Sequence, residues 1–174
     1  MKGNITPFLY VVGGSLFIAL FAQLTIPLPY VPITGQSLAV LLTAYALRSR
    51  LGSAAVLLYL ILGAIGLPVF AECSGGIEHL TGKTGGYLIG FLPAAFVCGK
   101  LAENQWDQSY IKSVLAMALG TTLILLFGFT YLAQFIGWSK GWVYGIVKVL
   151  PGAVIKILLG ASILPLYHYL TSQK

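Results

Sequence analysis

Long apolar runs fill most of this sequence and leave few charged residues between them. Of the 174 residues, 58% are hydrophobic and only 8% are charged, against roughly 25% charged in an ordinary soluble domain. The 10 basic and 4 acidic side chains cannot cover a globule of this size with polar surface. Most of the outer surface must therefore face lipid, and we expect an integral membrane protein.

The apolar runs predict the helices of this membrane protein. A helix needs about 20 residues to cross a bilayer. The second run is closed by Arg48 and Arg50 and is too short to span alone, so it must be half-buried or supplemented by a loop folded into the protein. We predict an all-α integral membrane protein, a single transmembrane domain over residues 1–174 with six transmembrane helices, from runs at 8–26, 37–47, 51–70, 85–101, 113–136 and 143–170.

The distribution of lysine and arginine predicts the orientation in the membrane. With both termini on one side, the other side carries only Lys83 and Lys140 in its loops. Basic residues favour cytoplasmic loops, so both termini are predicted to be cytoplasmic. The basic residues form no patch, which argues against nucleic-acid binding despite the net charge of +6. The cytoplasmic side would hold Lys2, Arg48, Arg50, Lys100, Lys112 and Lys174.

The loop that carries Trp138 would then face outward, together with two further loops, a proline-rich one at 27–36 and a glycine-rich one at 71–84. Irregular backbone persists at membrane depth only where it is covered by protein or lines a cavity. The short second run needs such a loop beside it. We therefore expect these two loops to close a pocket together.

The glycine-rich loop also contains Gly82-Lys83-Thr84, the end of a phosphate-binding loop. That motif requires a glycine where this chain has Ile77, and it follows a buried strand rather than a membrane span. We expect no nucleotide binding. If transport uses ATP, another chain must hydrolyse it.

Lys156 lies inside the last apolar run, where an ionisable group costs about 2.5 to 3.5 kcal/mol and usually faces a cavity or a partner. The alternative is a lysine whose long stem carries its charge back to the membrane surface. Glu72, at the end of the third run, is either a ligand acceptor, a partner of Lys83 or Lys156, or a solvated carboxylate. Gln36 can both donate and accept at membrane depth.

Other residues that could carry chemistry give weaker signals. Cys73 and Cys98 have no histidine at ligand spacing, and no serine, histidine and acid group resembles a catalytic triad, so we expect neither an enzyme nor a bound metal or cofactor. In the first helix, Ser15 and Ala19 form a small-xxx-small face. That face suits either a partner helix or this protein's own helices.

Four segments of the chain together form a recognisable pattern: IPLPYVPITGQ at 26–36, LGAIGLPVFA at 62–71, TGGYLIGF at 84–91, and Leu150-Pro151-Gly152 with Lys156. In this order they resemble the BioY family, the biotin-specific S components of energy-coupling factor (ECF) transporters. The resemblance covers nearly the whole chain. It implies a substrate-binding subunit of the bacterial cell membrane that takes biotin from outside and works with a transmembrane coupling protein, contacted through Ser15 and Ala19, and two cytoplasmic ATPase subunits.

One departure from the family pattern concerns the ligand site. The family has an aspartate after Pro-Gly, where this chain has Ala153. Lys156 then needs another partner, and Glu72 or the ligand's own carboxylate is the candidate. The remaining functional hypotheses are an S component or solitary transporter for another small carboxylate or vitamin, and a membrane enzyme or assembly subunit without transport. The residues expected to contact biotin are Gln36, Glu72, Ser74, Tyr87 and Lys156.

Overall fold

A computed structural model describes residues 5–172 of the chain, with side chains for 6–106 and 108–165. Lys2 and Lys174, used above to predict orientation, lie outside the described residues. The fold is mostly helical. Its helices are α1 (Ile5–Ala22), α2 (Gln36–Ala64), α3 (Glu78–Thr81), α4 (Gly85–Glu103), α5 (Tyr110–Ile136), α6 (Trp138–Trp142) and α7 (Leu150–Ser172).

Helix α2 is broken at Arg48, which has a left-handed φ of 64°. A Cβ built on Gly52 would lie 2.7 Å from the Cα of Ala44, whereas residues eight apart in a straight helix are separated by about 12 Å. The chain therefore reverses here, and α2 consists of two arms, 36–47 and 49–64, packed side by side. These arms correspond to the separate second and third apolar runs.

The second arm ends earlier than the apolar run predicts. The prediction placed its end at Phe70, but the helix ends at Ala64. Gly66 takes a φ of 98°, which ends the helix at little cost for a residue without Cβ, and Pro68 cannot continue it. Phe70 then folds back so closely that a Cβ on Gly63 would lie 2.1 Å from its ring.

The proline-rich loop contains a short strand pair, so the all-α prediction is wrong in this detail. Strand β1 (Thr25–Ile26) pairs antiparallel with β2 (Ile33–Thr34), with Thr25 opposite Thr34. The pairing satisfies backbone groups that would otherwise lack partners. It also closes the base of the segment that contains the three prolines.

The turn of α2 is fixed against the end of α4. The carboxylate of Glu103 accepts hydrogen bonds from the backbone N–H of Ser49 at 3.1 Å and from its hydroxyl at 2.5 Å. It thereby satisfies a free donor at the start of the second arm, as a capping side chain does. Gly99 permits the close approach, because a Cβ there would lie 2.5 Å from the Cα of Ser49.

The outer surface is apolar, as expected for a protein in lipid. Large side chains such as Leu20 (68% exposed) and Ile155 (59% exposed) face outward. By length and composition, four stretches of the described residues are candidates to cross a bilayer, at 36–64, 85–103, 110–136 and 138–165, and the first of them is the one that folds into two arms. Helix α1 is apolar but shorter. The protein is a multi-pass membrane protein.

Candidate ligand-binding site

A cavity of about 410 Å³ lies under the proline-rich loop and the 71–84 loop. Its size falls within the range of roughly 300 to 1,000 Å³ that is usual for small-molecule sites. Both loops contribute to its walls, as predicted. The lining also includes the start of α2 and residues of α4, α5 and α7, and its polar members are Thr34, Gln36, Ser37, Glu72, Ser74, His79, Thr84, Tyr87, Thr121 and Lys156.

Gln36 begins α2 and is only 6% exposed. Its Oε1 accepts a hydrogen bond from the Thr34 hydroxyl at 2.9 Å, and its Nε2 donates to the Tyr59 hydroxyl at 2.5 Å. These bonds fix the orientation of the amide. One N–H and one lone pair of the amide remain for a ligand.

Lys156 is partly buried and reaches across the cavity from α7 to α2. Its Nζ donates to the hydroxyl oxygen of Ser37 at 2.9 Å. The expected pairing with Glu72 is absent, and no ion pair joins Lys156 to a carboxylate within the described part of the chain. Glu72 lies at the exposed mouth of the cavity, with a left-handed φ of 59°.

Ser74 and Tyr87 also line the cavity, but both hydroxyl protons are engaged. Ser74 donates to the Ala71 carbonyl at 2.6 Å. Tyr87 donates to the Gly145 carbonyl at 2.8 Å, which ties α4 to the π-helical turn at 143–147. Each oxygen can still accept a hydrogen bond from a ligand.

Gln23, at the end of α1, holds the segment at 70–73 that forms part of the cavity mouth. Its Nε2 donates to the Phe70 carbonyl at 3.1 Å, and its Oε1 accepts from the backbone N–H of Cys73 at 2.8 Å. Glu72 and Cys73 both have positive φ, which costs free energy in residues with a Cβ. The two hydrogen bonds of Gln23 offset this cost and keep Glu72 at the mouth.

A second set of contacts holds the loops through four side chains that we name the aromatic latch: Lys83, Tyr30, Tyr144 and Lys148. The rings of Tyr30 and Tyr144 meet edge to face, with centroids 4.7 Å apart. Lys83 Nζ lies 5.3 Å from the Tyr30 ring and Lys148 Nζ lies 4.5 Å from the Tyr144 ring. The latch connects the proline-rich loop to the 71–84 loop and to the segment before α7.

Several lining residues carried no clear signal in the sequence. Ser37 follows Gln36 directly, but a serine at a helix start is common enough to pass as structural. Thr121 lies in the middle of the apolar α5, is 8% exposed and makes no hydrogen bond among the described residues. His79, expected to be a loop residue, faces the cavity and packs against the Phe70 ring with centroids 5.8 Å apart.

The sequence left open whether the small-xxx-small face of α1 contacts a partner helix or this protein's own helices, and both of its residues make contacts within this chain. Ser15 is 1% exposed, so its side chain packs inside this chain rather than on the surface. The neighbouring Gly14 lies so close to α2 that a Cβ there would be 2.8 Å from Thr43. Ala19 is half-buried and packs against the core. The small residues of α1 thus bring it close to both arms of α2.

The fold is that of a known class of membrane protein. It is similar to a crystal structure of the S component for biotin from an ECF-type ABC transporter, with a TM-score of 0.85 and 24% identity over 97% of this chain and 95% of that one. This likeness shows that the chain has the S-component fold. The cavity described above lies within that fold.

A sequence model of the BioY family matches residues 1–173, and the chain belongs to the BioY family. Among similar proteins, one from Pyrococcus horikoshii, named a probable biotin transporter BioY, is 37% identical and covers 82% of this chain and 85% of its own. A probable biotin transporter BioY from Rickettsia prowazekii is 33% identical, with 94% and 82% covered. The biotin transporter BioY of Rhizobium etli is 39% identical, with 75% and 74% covered.

Proposed function

We propose that this protein binds biotin in the outer cavity and carries it across the membrane as the substrate-specific subunit of an ATP-driven vitamin importer. One observation carries the proposal: all five side chains expected to contact biotin line the same cavity. The similar proteins named biotin transporters support the choice of ligand.

The chemistry of the cavity suits this ligand. Biotin has two ureido N–H groups that need acceptors, a ureido oxygen that needs a donor, and a carboxylate that needs a cation or several donors. Gln36 offers both a donor and an acceptor, Glu72, Ser74 and Tyr87 offer acceptors, and Lys156 offers the cation. The apolar walls that would hold the ring system and the tail come from Leu88, Phe91, Ile124, Leu125 and Val149.

The proposed role as a transporter subunit also implies an arrangement in the membrane. Counting the two arms of α2 separately, α1, α4, α5 and α7 complete six transmembrane helices in one domain. The excess of basic residues supports both termini lying in the cytoplasm of a bacterial cell, with the cavity on the outer side. A transmembrane coupling protein and two cytoplasmic ATPases would supply the energy, since the sequence lacks a complete phosphate-binding loop.

Equilibrium binding of labelled biotin to the detergent-purified protein tests this proposal. We expect saturable binding with one site per chain, displaced by unlabelled biotin and unaffected by a structurally unrelated vitamin carboxylate such as pantothenate. Displacement by pantothenate and not by biotin would favour a transporter for another carboxylate. The absence of saturable biotin binding in a folded preparation would overturn the assignment.

A further inference from the structure

We propose that the cavity selects a ligand bearing a single negative charge, because no carboxylate among the described residues pairs with the Lys156 ammonium, and that Ser37 is the residue that positions this ammonium. The inference rests on the proposed function and deepens it. It concerns the charge that the bound vitamin must carry.

The charges around the cavity are unequally placed. Lys156 is partly buried, whereas Glu72 lies at the exposed mouth, where water screens it. Ala153 lies one turn before Lys156 on the same helix, lines the cavity and is 6% exposed. An acidic side chain at that position would reach the ammonium, but a methyl group cannot balance its charge. A buried charge without an opposite charge is costly, so a bound anion would lower the free energy of the site.

The start of α2 adds further donors on the same side of the cavity. Gly35 at its N-terminus provides no side-chain cap. The first intrahelical bond joins the Ala39 N–H to the Gly35 carbonyl, so the N–H groups of residues 36–38 have no partner among the described residues. The positive end of a helix dipole favours an anion. Thr121 can add another donor, since it lines the cavity and its hydroxyl makes no hydrogen bond among the described residues.

Ser37 fixes the position of the ammonium at the start of α2. Its hydroxyl accepts one N–H of Lys156, which leaves two N–H groups for a ligand. A neutral acceptor fixes the position of the cation without cancelling its charge. A carboxylate in the same place would fix the position and cancel the charge.

A comparison of biotin with biotinamide, which is neutral and otherwise the same shape, tests the selection. The wild-type protein should bind biotin roughly ten- to 150-fold more tightly than biotinamide, since a charge-assisted hydrogen bond is replaced by a neutral contact. Ala153→Asp should reduce this ratio to near one. The matched control, Ala153→Asn, adds the same bulk without charge and should retain most of the preference.

The role of Ser37 is tested by the same two ligands. Ser37→Ala should weaken biotin about fivefold or more and leave biotinamide nearly unchanged, because only the acid uses the positioned ammonium. Ser37→Thr keeps the hydroxyl and should restore biotin binding. A merely structural role would weaken both ligands equally, and that result would overturn the positioning role.

The binding of biotin and of biotinamide distinguishes a failure of the charge selection from a failure of the proposed biotin binding. Equal affinity of the wild-type protein for biotin and biotinamide would overturn the charge selection while leaving biotin as the ligand. Binding of neither compound by the folded protein would overturn both. A large preference for biotin that Ala153→Asp abolishes and Ala153→Asn preserves would support the inference.

Discussion

At the residue scale, the candidate site depends on side chains that are already held before any ligand arrives. The Thr34 and Tyr59 hydroxyls orient Gln36, and Ser37 orients Lys156. Binding then costs little additional ordering of side chains, which is the usual advantage of a preorganised site. The unused donors and acceptors of these residues face the cavity.

Replacing Lys156 tests the importance of its charge. Lys156→Ala should weaken biotin binding by about 1.5 to 3 kcal/mol, or roughly ten- to 150-fold, because a charge-assisted hydrogen bond is lost. Lys140→Ala removes an exposed lysine that does not line the cavity and serves as the control. Equilibrium binding of labelled biotin measures both variants. Unchanged affinity in a folded Lys156→Ala protein would leave Lys156 as a lysine that only carries its charge to the membrane surface.

Lys156 and Gln36 were predictable from the sequence because a polar group inside or beside an apolar run is rare and needs an explanation. Ser37 and Gln23 were not. A serine in the first turn of a helix and a glutamine near the end of an apolar run have ordinary structural explanations. Their roles come from partners far along the chain, such as Lys156 for Ser37 and Cys73 for Gln23. Nothing in a single sequence marks such pairs.

At the scale of elements, the loops that cover the cavity are fixed at two places, by Gln23 and by the aromatic latch. The break of α2 at Arg48 was predictable because two arginines close a short apolar run. The early end of α2 and the strand pair at 25–26 and 33–34 were not. The end of α2 was not predictable because the apolar run continues through Phe70 whether the chain there is helical or folded back. The strand pair was not predictable because two residues in each strand are too few to show the alternation typical of a strand.

Opening the aromatic latch should release the ligand faster. Tyr30→Ala removes an edge-to-face ring pair and a cation–π contact, which together contribute about 1 to 2.5 kcal/mol and predict at least a roughly fivefold faster dissociation of biotin. Tyr30→Phe keeps the ring and should dissociate at nearly the wild-type rate. Dissociation of labelled biotin after dilution into unlabelled biotin measures the rates. Equal rates for Tyr30→Ala and the wild type would show that the latch does not cover the exit.

At the scale of the whole molecule, glycines decide how closely the helices pack. Gly99 on α4 contacts the backbone of Ser49, and Gly14 on α1 contacts both arms of α2. Close backbone approach is a main source of helix association in lipid, where burial of apolar surface contributes little. The cavity exists because these tight contacts hold the helices together on one side while the loops cover the other.

A pair of matched substitutions tests this packing. In Gly99→Ala the new Cβ would lie 2.5 Å from the Cα and N of Ser49, so we expect a loss of about 1 to 3 kcal/mol of stability. Gly13 is exposed within α1 and has nothing within 4 Å of a built Cβ, so Gly13→Ala should be neutral or gain up to about 1 kcal/mol. Thermal unfolding of the purified proteins in one detergent measures the difference. Equal midpoints would argue against the tight packing of α4 on the turn of α2.

The structure of the biotin-loaded protein tests the central claim most directly. The measured quantity is the distance from the ligand carboxylate to Lys156 Nζ. We predict that biotin occupies the cavity under the two outer loops, with a carboxylate oxygen within hydrogen-bonding distance of Lys156 Nζ and the ureido ring against Gln36 and the residues of the mouth. Biotin bound outside this cavity, or bound inside it with its carboxylate remote from Lys156, would contradict the account.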